Sequence, residues 1–128
     1  MANLTPTAAV VDDEESVGRA IKRLLRSAGI DAEAFSSGEA FLNRLSTDAS
    51  YRPDCVILDV LMPGVGGVEV QRQLSGSGLP VIIITAHDDP SVRAQVLAAG
   101  AIDYLRKPFD GAALIRAVQA ATGFPPAP

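Results

Sequence analysis

Five short apolar runs, separated by longer segments of mixed polarity, set the pattern of this chain. The runs lie at 8–11, 32–35, 55–58, 81–84 and 102–105. Most are rich in β-branched residues and lack strict alternation, which is typical of strands covered on both faces of a parallel sheet. The second run, Ala-Glu-Ala-Phe, has the weakest strand character of the five. The runs therefore predict five strands.

The segments between the runs have the period of amphipathic helices. The first helix is predicted at 14–28, ending at Gly29, because apolar side chains recur there at i, i+3 and i+4: Val17, Ala20, Ile21, Leu24 and Ala28. A short third helix is predicted at 68–74. A fifth begins near Asp110 and has one apolar face, formed by Leu114, Ala117, Val118 and Ala121.

Capping residues mark the other two helices. Ser36 and Glu39 have the spacing of a capping box and predict a second helix that reaches about Leu45. Asp89 followed by Pro90 predicts the start of a fourth helix, since proline fits the first helical position. The order of elements is then (βα)5.

This order predicts an α/β fold, a doubly wound parallel sheet of five strands with the flavodoxin-like strand order 2-1-3-4-5. Right-handed crossovers would place helices on both faces of the sheet. In such sheets the functional site lies beyond the carboxyl ends of the strands. The residues that directly follow each run are therefore the candidates for chemistry.

Length and charge indicate a single domain and argue against some classes of partner. The 128 residues suit one domain, predicted at 1–122, followed by a proline-containing linker or tail at 123–128. The formal net charge of −4 argues against direct binding to nucleic acid or to an anionic membrane. The single cysteine, Cys55, cannot form an internal disulfide, and the first residues lack the features of a signal peptide. A cytoplasmic protein is predicted.

Acidic, hydroxyl and basic side chains follow the runs. Asp12 and Asp13 end the first run, Asp59 the third and Thr85 the fourth, while Lys107 follows the fifth. Neighbouring carboxylates repel one another unless a cation lies among them, and ligands that are all oxygen suit Mg²⁺. A carboxylate can also attack a phosphoryl donor while a lysine and a hydroxyl stabilise the transferred oxygens. The pattern favours phosphoryl chemistry at one edge of the sheet.

Four motifs carry a family resemblance: VVDDEE at 10–15, LDVLMPG at 58–64, ITA at 84–86 and KPF at 107–109. In this order and spacing they make the chain resemble response-regulator receiver domains of two-component systems, with most similarity to FixJ-type transcription regulators. The resemblance implies that Asp59 is the phosphoacceptor and that Thr85 and Lys107 contact the phosphoryl oxygens. It implies Mg²⁺ as the cofactor, held by Asp12, Asp13, Asp59 and the backbone carbonyl of Leu61.

The resemblance also implies a mechanism and partners. A histidine kinase or phosphotransfer protein would donate the phosphoryl group, so the domain would catalyse only its own phosphorylation and dephosphorylation and is not an enzyme in the usual sense. Thr85 would move toward the new group and Tyr104 would turn inward, altering the face made by helix 4, strand 5 and helix 5. That face could form a homodimer and control an output domain for transcription. The Lys107–Pro108 bond is expected to be cis.

Some positions have two interpretations. Tyr104 could be an ordinary core aromatic, and His87 could either flank the path of hydrolytic water, as Leu61 could, or be a solvated loop residue. Cys55 is interpreted as a core residue. A basic stripe on helix 1 could be solvated surface or could steer an acidic kinase surface; it comprises Arg19, Lys22, Arg23 and Arg26.

Two other classes of function remain open from the sequence. One is a receiver-like interaction module that works without phosphorylation. The other is a flavodoxin-like enzyme that transfers phosphate to or from an external substrate. The second would normally need a glycine-rich phosphate loop, and the segment 64–67, Gly-Val-Gly-Gly, has neither Walker spacing nor a following Lys-Ser/Thr. Gly66 and Gly67 are instead predicted to serve the turn into helix 3.

Overall fold

The computed structural model describes residues 5–123 of the chain. Its strands are β1 (Thr7–Val11), β2 (Asp31–Phe35), β3 (Cys55–Asp59), β4 (Val81–Thr85) and β5 (Asp103–Arg106). Its helices are α1 (Glu15–Ser27), α2 (Gly38–Thr47), α3 (Gly67–Leu74), α4 (Pro90–Ala98) and α5 (Gly111–Thr122). Strands and helices alternate throughout, as the sequence predicted.

The strands form one parallel sheet in the order β2-β1-β3-β4-β5. This confirms the predicted doubly wound fold and its strand order. The pairing register sets Val11 beside Leu58 and Asp59 beside Ile84, so the carboxyl ends of β1, β3 and β4 meet at one edge.

Helices cover both faces of the sheet. On one face, α1 and α5 pack Ile21, Leu25, Leu114, Ala117 and Val118 against alternate strand residues. On the other face, α2, α3 and α4 contribute Phe41, Val70, Leu74 and Val96. Every residue of β3 and β4 is buried, because these strands have neighbours on both sides and helices above and below.

The start of α2 differs from the sequence prediction. Ser37, rather than Ser36, is the N-cap, and its side-chain oxygen accepts the backbone N–H of Ala40 at 3.0 Å. The predicted capping box between Ser36 and Glu39 is therefore wrong. Two adjacent serines offered two starts, and the extended backbone of Ser37 places its hydroxyl three residues before a free helical N–H. Glu39 is left free to contact a different loop.

The other helix boundaries follow their predicted signals closely. Asp89 caps α4 by accepting the Ser91 N–H at 2.9 Å, with Pro90 at the first helical position. Gly100, which directly follows the C-cap residue Ala99 of α4, has a φ of 105°, a value that favours glycine. Asp110 caps α5. The Lys107–Pro108 peptide bond is cis, as the family resemblance implied.

Cys55 is a core residue, as interpreted from the sequence. It is fully buried at the start of β3, and burial raises the pKa of its thiol to about 12. Within residues 5–123, no helix has the length and apolar character needed to cross a bilayer. The predicted linker at 123–128 lies outside the described residues except for Gly123, which ends α5.

Candidate functional site

The carboxyl edge of the sheet brings the candidate residues together. Asp12 directly follows β1, Asp59 ends β3 and Thr85 ends β4, while Lys107 directly follows β5. Because β1 lies beside β3 and β3 beside β4, three neighbouring strands deliver their terminal side chains to one place. The Lys107 backbone N–H donates to the Thr85 carbonyl at 2.7 Å, which holds the end of β5 against the same edge.

Three carboxylates form the centre of this site. Asp12, Asp13 and Asp59 each offer an oxygen atom within 4.8 Å of the others. Asp12 and Asp59 are only 2% and 4% exposed, whereas Asp13 is open to solvent. A cluster of oxygens with one side open to water matches the preference of Mg²⁺, which keeps several water ligands. The residues present therefore fit a divalent cation.

Lys107 supplies positive charge to the buried carboxylates. Its ammonium nitrogen lies 2.6 Å from Oδ2 of Asp12 and 3.6 Å from Oδ2 of Asp59. Burial lowers the pKa of Lys107, but its hydrogen bond to Asp12 and the charges of Asp59 and Asp12 outweigh burial, so the net direction is upward. The lysine is therefore held in its charged form between two acidic side chains.

The pKa of Asp59 is raised from 3.8 to about 6. Burial is the largest cause, and the neighbouring Asp12 carboxylate adds to it, while Lys107 acts in the opposite direction. The carboxyl group of Asp59 is thus unusually basic for an aspartate. It is still mostly ionised near neutral pH, which a nucleophilic carboxylate requires.

Backbone N–H groups fix the orientation of both buried carboxylates. Oδ1 of Asp12 accepts the N–H of Glu14 at 2.9 Å, while its Oδ2 accepts from Lys107. Oδ1 of Asp59 accepts the N–H of Leu61 at 3.3 Å, which leaves its Oδ2 facing Lys107. Leu61 therefore lies directly against the carboxylate cluster, and its side chain is 54% exposed beside it.

The loop between β3 and α3 closes tightly over the backbone of Asp59. The N–H of Gly67 donates to the Val60 carbonyl at 3.0 Å. A Cβ atom on Gly67 would overlap the Asp59 carbonyl oxygen and lie 2.7 Å from the Val60 Cα. Only glycine fits at this first position of α3. This agrees with the predicted role of the glycines in the turn into helix 3.

Glu39 of α2 reaches the same loop from outside. Its carboxylate accepts the Val65 N–H at 3.4 Å, close to Gly64, whose φ of 73° bends the loop. Sequence reasoning missed this contact because it assigned Glu39 to a capping box. The spacing of Ser37 and Ala40 was the available signal, since a cap at Ser37 leaves Glu39 unused by the helix start.

Thr85 joins the site to the loop before α4. Its side chain is 1% exposed, and its hydroxyl donates to the His87 carbonyl at 2.9 Å while accepting the His87 N–H at 3.1 Å. The hydroxyl of Tyr104 lies 3.5 Å from the same His87 carbonyl. Thr85 and Tyr104, predicted as a switching pair, thus meet at one backbone oxygen. Tyr104 lies outside the carboxylate cluster.

The remaining candidates lie on α1. The basic stripe lines a shallow groove of about 260 Å³ on the outside of this helix. A second groove of about 520 Å³, mostly apolar, runs from α1 to the segment after β5. It is lined by Val17, Ala20, Ile21, Leu24, Ala86, Lys107, Pro108, Phe109 and Gly111. Lys107 therefore links this groove to the carboxylate cluster.

A doubly wound sheet with an acidic cluster and a lysine at its carboxyl edge matches a known class. The family model for the response regulator receiver domain matches residues 8–119. The chain therefore belongs to the response regulator receiver domain family, which functions in two-component systems. This confirms the resemblance inferred from the four sequence motifs.

Particular relatives extend this assignment. The chain is 40% identical over 119 residues to the response regulator protein TodT of Pseudomonas putida, covering 91% of this chain and 51% of that protein. It is 38% identical over 118 residues to the transcriptional regulatory protein FixJ of Azorhizobium caulinodans, covering 89% and 54%. The chain thus spans about half the length of these curated relatives.

A solved structure shares both fold and sequence with this chain. The crystal structure of a response regulator receiver protein from Burkholderia phymatum is 59% identical, with a TM-score of 0.88, covering 97% of this chain and 100% of that one. The structure of FixJ-N is 32% identical, with a TM-score of 0.82 and full coverage of both chains.

Proposed function

We propose that Asp59 accepts a phosphoryl group from a phosphohistidine on a partner kinase or phosphotransfer protein. The observation that carries this proposal is the buried pair of Asp12 and Asp59 with Lys107 between them, open to solvent on the side of Asp13. Receiver domains of response regulators interact with histidine kinases, and this chain belongs to that family. The domain would modify its own residue rather than turn over an external substrate.

The chemical step is a transfer between two nucleophiles. An oxygen of the ionised Asp59 attacks phosphorus, the P–N bond breaks, and its electron pair stays on the imidazole nitrogen. Lys107 lies 3.6 Å from Oδ2 of Asp59, where it can stabilise charge on the transferred oxygens. The hydroxyl of Thr85 would supply a second donor after leaving the His87 carbonyl.

Mg²⁺ is the proposed cofactor. Asp12, Asp13, Asp59 and the backbone carbonyl of Leu61 would hold it. When bound, it would offset the negative charge that accumulates on the carboxylates and the phosphoryl oxygens. Both oxygens of Asp12 and Oδ1 of Asp59 already accept hydrogen bonds, so the exposed Asp13 has the freer oxygens for direct coordination.

Phosphorylation would then alter the face made by α4, β5 and α5. The hydroxyl of Thr85 and the ring of Tyr104 both contact the loop at His87, so movement of one changes the surroundings of the other. Leu97 of α4 and Ile102, which directly precedes β5, are large apolar side chains exposed to solvent. They suit a homodimer contact between two receivers, which is the proposed output of the switch.

The partners follow from the family and from the surface. The apolar groove beside α1 reaches Lys107 and is the proposed docking site for the kinase, with the basic stripe steering an acidic surface.

We assign residues 1–122 to the receiver and 123–128 to a linker. Since the relatives are about twice as long, the proposed downstream function is control of a transcription output domain, without direct contact of the receiver with nucleic acid. The cytoplasm is the proposed location.

Intact mass after incubation with a small phosphodonor and Mg²⁺ tests the central proposal. We expect the wild type to gain one phosphoryl group, and we expect no gain in Asp59→Asn or with EDTA. Asp31→Asn is the matched control, because Asp31 is an exposed aspartate at the opposite edge of the sheet, and it should gain the group normally. A folded wild type that gains nothing from a competent donor would favour the phosphorylation-independent interaction module instead.

A further inference from the structure

The helix α4 is attached to the rest of the molecule unevenly along its length. Near its C-terminal end, the side chain of Val96 is fully buried in the core. Toward its N-terminal end, Pro90, Ser91 and Arg93 are exposed, and only Val92 packs partly against the core. The C-terminal end of α4 is therefore held more firmly than its N-terminal end.

A buried glutamine of α3 holds the C-terminal end. Gln71 is only 4% exposed, and its side-chain Nε2 donates to the Val96 carbonyl at 2.9 Å. The same oxygen accepts the backbone N–H of Ala101 at 3.0 Å. A carbonyl in the last turn of a helix has no partner within that helix. Two donors from outside the helix thus converge on one carbonyl oxygen.

The N-terminal residues of the helix itself have weaker attachments, although Thr85 holds the preceding loop through two hydrogen bonds to His87. Asp89 bonds to the N–H groups of Ser91 and Val92, which belong to the same first turn and do not tie the helix to its surroundings. The guanidinium of Arg93 lies 5.5 Å from the centre of the Tyr104 ring. The contact between Tyr104 and the preceding loop is long, at 3.5 Å. These contacts can exchange without leaving a buried polar group unpaired.

We propose that Gln71 anchors the C-terminal end of α4, so that phosphorylation moves this helix mainly at its N-terminal end. This inference rests on the proposed function for the phosphorylation step, but the anchor itself is a property of the unmodified protein. Hinges form where a few element-terminal residues absorb a change in backbone angle. Gly100, with a φ of 105°, directly follows the anchored turn and separates it from β5. Gln71 acts as a positioning residue.

Amide hydrogen exchange resolved at single residues tests the anchor in the wild type. With phosphodonor and Mg²⁺, we expect the exchange rates of the amides at 88–89 and 91–94 to change several-fold and that of the Ala101 amide to stay within about twofold. An equal change at Ala101 would overturn the proposal. Intact mass is measured on the same sample. If no phosphoryl group is gained, the proposed function fails, and the anchor is judged on the unphosphorylated variants alone.

The variant Gln71→Met removes the donor and keeps the length of the side chain. We expect the Ala101 amide of the unphosphorylated variant to exchange about fivefold faster, since a buried acceptor loses one of its two donors. Gln73→Met is the matched control, because Gln73 is exposed on the same helix and, within residues 5–123, its side-chain amide bonds only to Glu69. Gln71→Leu serves as a second variant if Gln71→Met does not fold.

The phosphorylated variant separates anchoring from simple stability. In Gln71→Met the Ala101 amide should respond to the phosphodonor as the amides at 88–89 and 91–94 do, whereas in Gln73→Met it should remain unresponsive. If Gln71 only stabilised the fold, Gln71→Met would speed exchange of the Ala101 amide before phosphorylation, but the phosphodonor would still affect only the N-terminal end of α4. Identical behaviour of the two variants, before and after the phosphodonor, would overturn the anchor.

Discussion

The inner and outer parts of the sheet differ in how tightly they are built. In the inner part, formed by β1 and β3 with the loops that follow them, all five residues of β3 are buried and the loop after it closes on Gly67. In the outer part, formed by β5 and α4, no residue of β5 is fully buried and α4 buries only Val96. The acidic cluster stands on the inner part, whereas the proposed response occurs in the outer part.

This difference separates two requirements of a switch. Group transfer needs reacting atoms held in fixed positions, and close packing supplies this. A response needs an element with two arrangements of similar free energy, which a partly exposed strand and helix allow more readily. Lys107 belongs to both parts, because it follows β5 and contacts Asp12.

The largest expected effect on stability tests how closely the backbone packs around Gly67 in the inner part. Gly67→Ala should lower the free energy of unfolding by at least about 3 kcal/mol, since its Cβ would overlap backbone atoms that cannot give way. Gly66→Ala is the control, because the nearest atom to its Cβ would be the Val60 carbonyl oxygen at an ordinary 3.5 Å. Urea unfolding of both variants measures the difference. Equal stability would mean that this loop is loosely packed.

A smaller effect is expected where the two parts meet. Lys107→Met leaves the buried Asp12 carboxylate without its partner and should lower the free energy of unfolding by about 2 kcal/mol without Mg²⁺. Saturating Mg²⁺ should reduce this loss, because a second cation compensates the same carboxylates. Lys22→Met on α1 is the control for loss of a lysine. A loss that Mg²⁺ leaves unchanged would argue against a cation at this cluster.

The pH dependence of the inner part follows from Asp59. Its pKa rises from 3.8 to about 6 on folding, so the folded protein binds this proton more tightly. The stabilising effect of the proton is complete below pH about 4 and is lost as the pH rises through about 6. Without Mg²⁺, Asp59→Asn should therefore be more stable than the wild type at pH about 7.5, on the order of 1 kcal/mol. Urea unfolding across pH should show this advantage disappearing below pH about 4. An advantage of constant size would contradict the raised pKa.

The smallest effect is expected in the outer part. Tyr104→Phe removes a hydroxyl whose contact with the His87 carbonyl is 3.5 Å long, so the free energy of unfolding should change by less than about 0.5 kcal/mol. Thermal unfolding of the unphosphorylated protein measures this. If Tyr104→Phe lost as much free energy of unfolding as Lys107→Met, the outer part would be as firmly held as the inner part, contrary to the difference described above.

The sequence predicted the fold and the positions of the site residues well, for identifiable reasons. Apolar runs with two buried faces distinguish central strands, and the doubly wound topology brings their carboxyl ends together. The placement of Asp12, Asp59 and Thr85 followed from these two facts. The roles assigned to them in phosphoryl transfer stay predictions.

Contacts between elements distant in sequence were less predictable. The bond between Gln71 and the Val96 carbonyl depends on how α3 and α4 pack, and no local pattern marks it. The Ser36 capping box was wrong because two neighbouring serines satisfied the same local rule. The apolar run at 102–105 predicts Ile102 in strand 5, but the strand begins at Asp103 and Ile102 is exposed. Apolar character alone could not distinguish an exposed position at the end of a strand from a buried one.

The burial of Cys55 has a practical consequence for spectroscopy. The chain has one cysteine, and its thiol is shielded from solvent with a pKa of about 12, so thiol reagents at neutral pH should leave it unmodified in the folded protein. A cysteine introduced on an exposed surface would then be the single reactive thiol, so Cys55 would not need to be replaced before labelling. Fluorescent or spin labels placed in turn at Ser91 and Leu97 would report separately on the two ends of one helix.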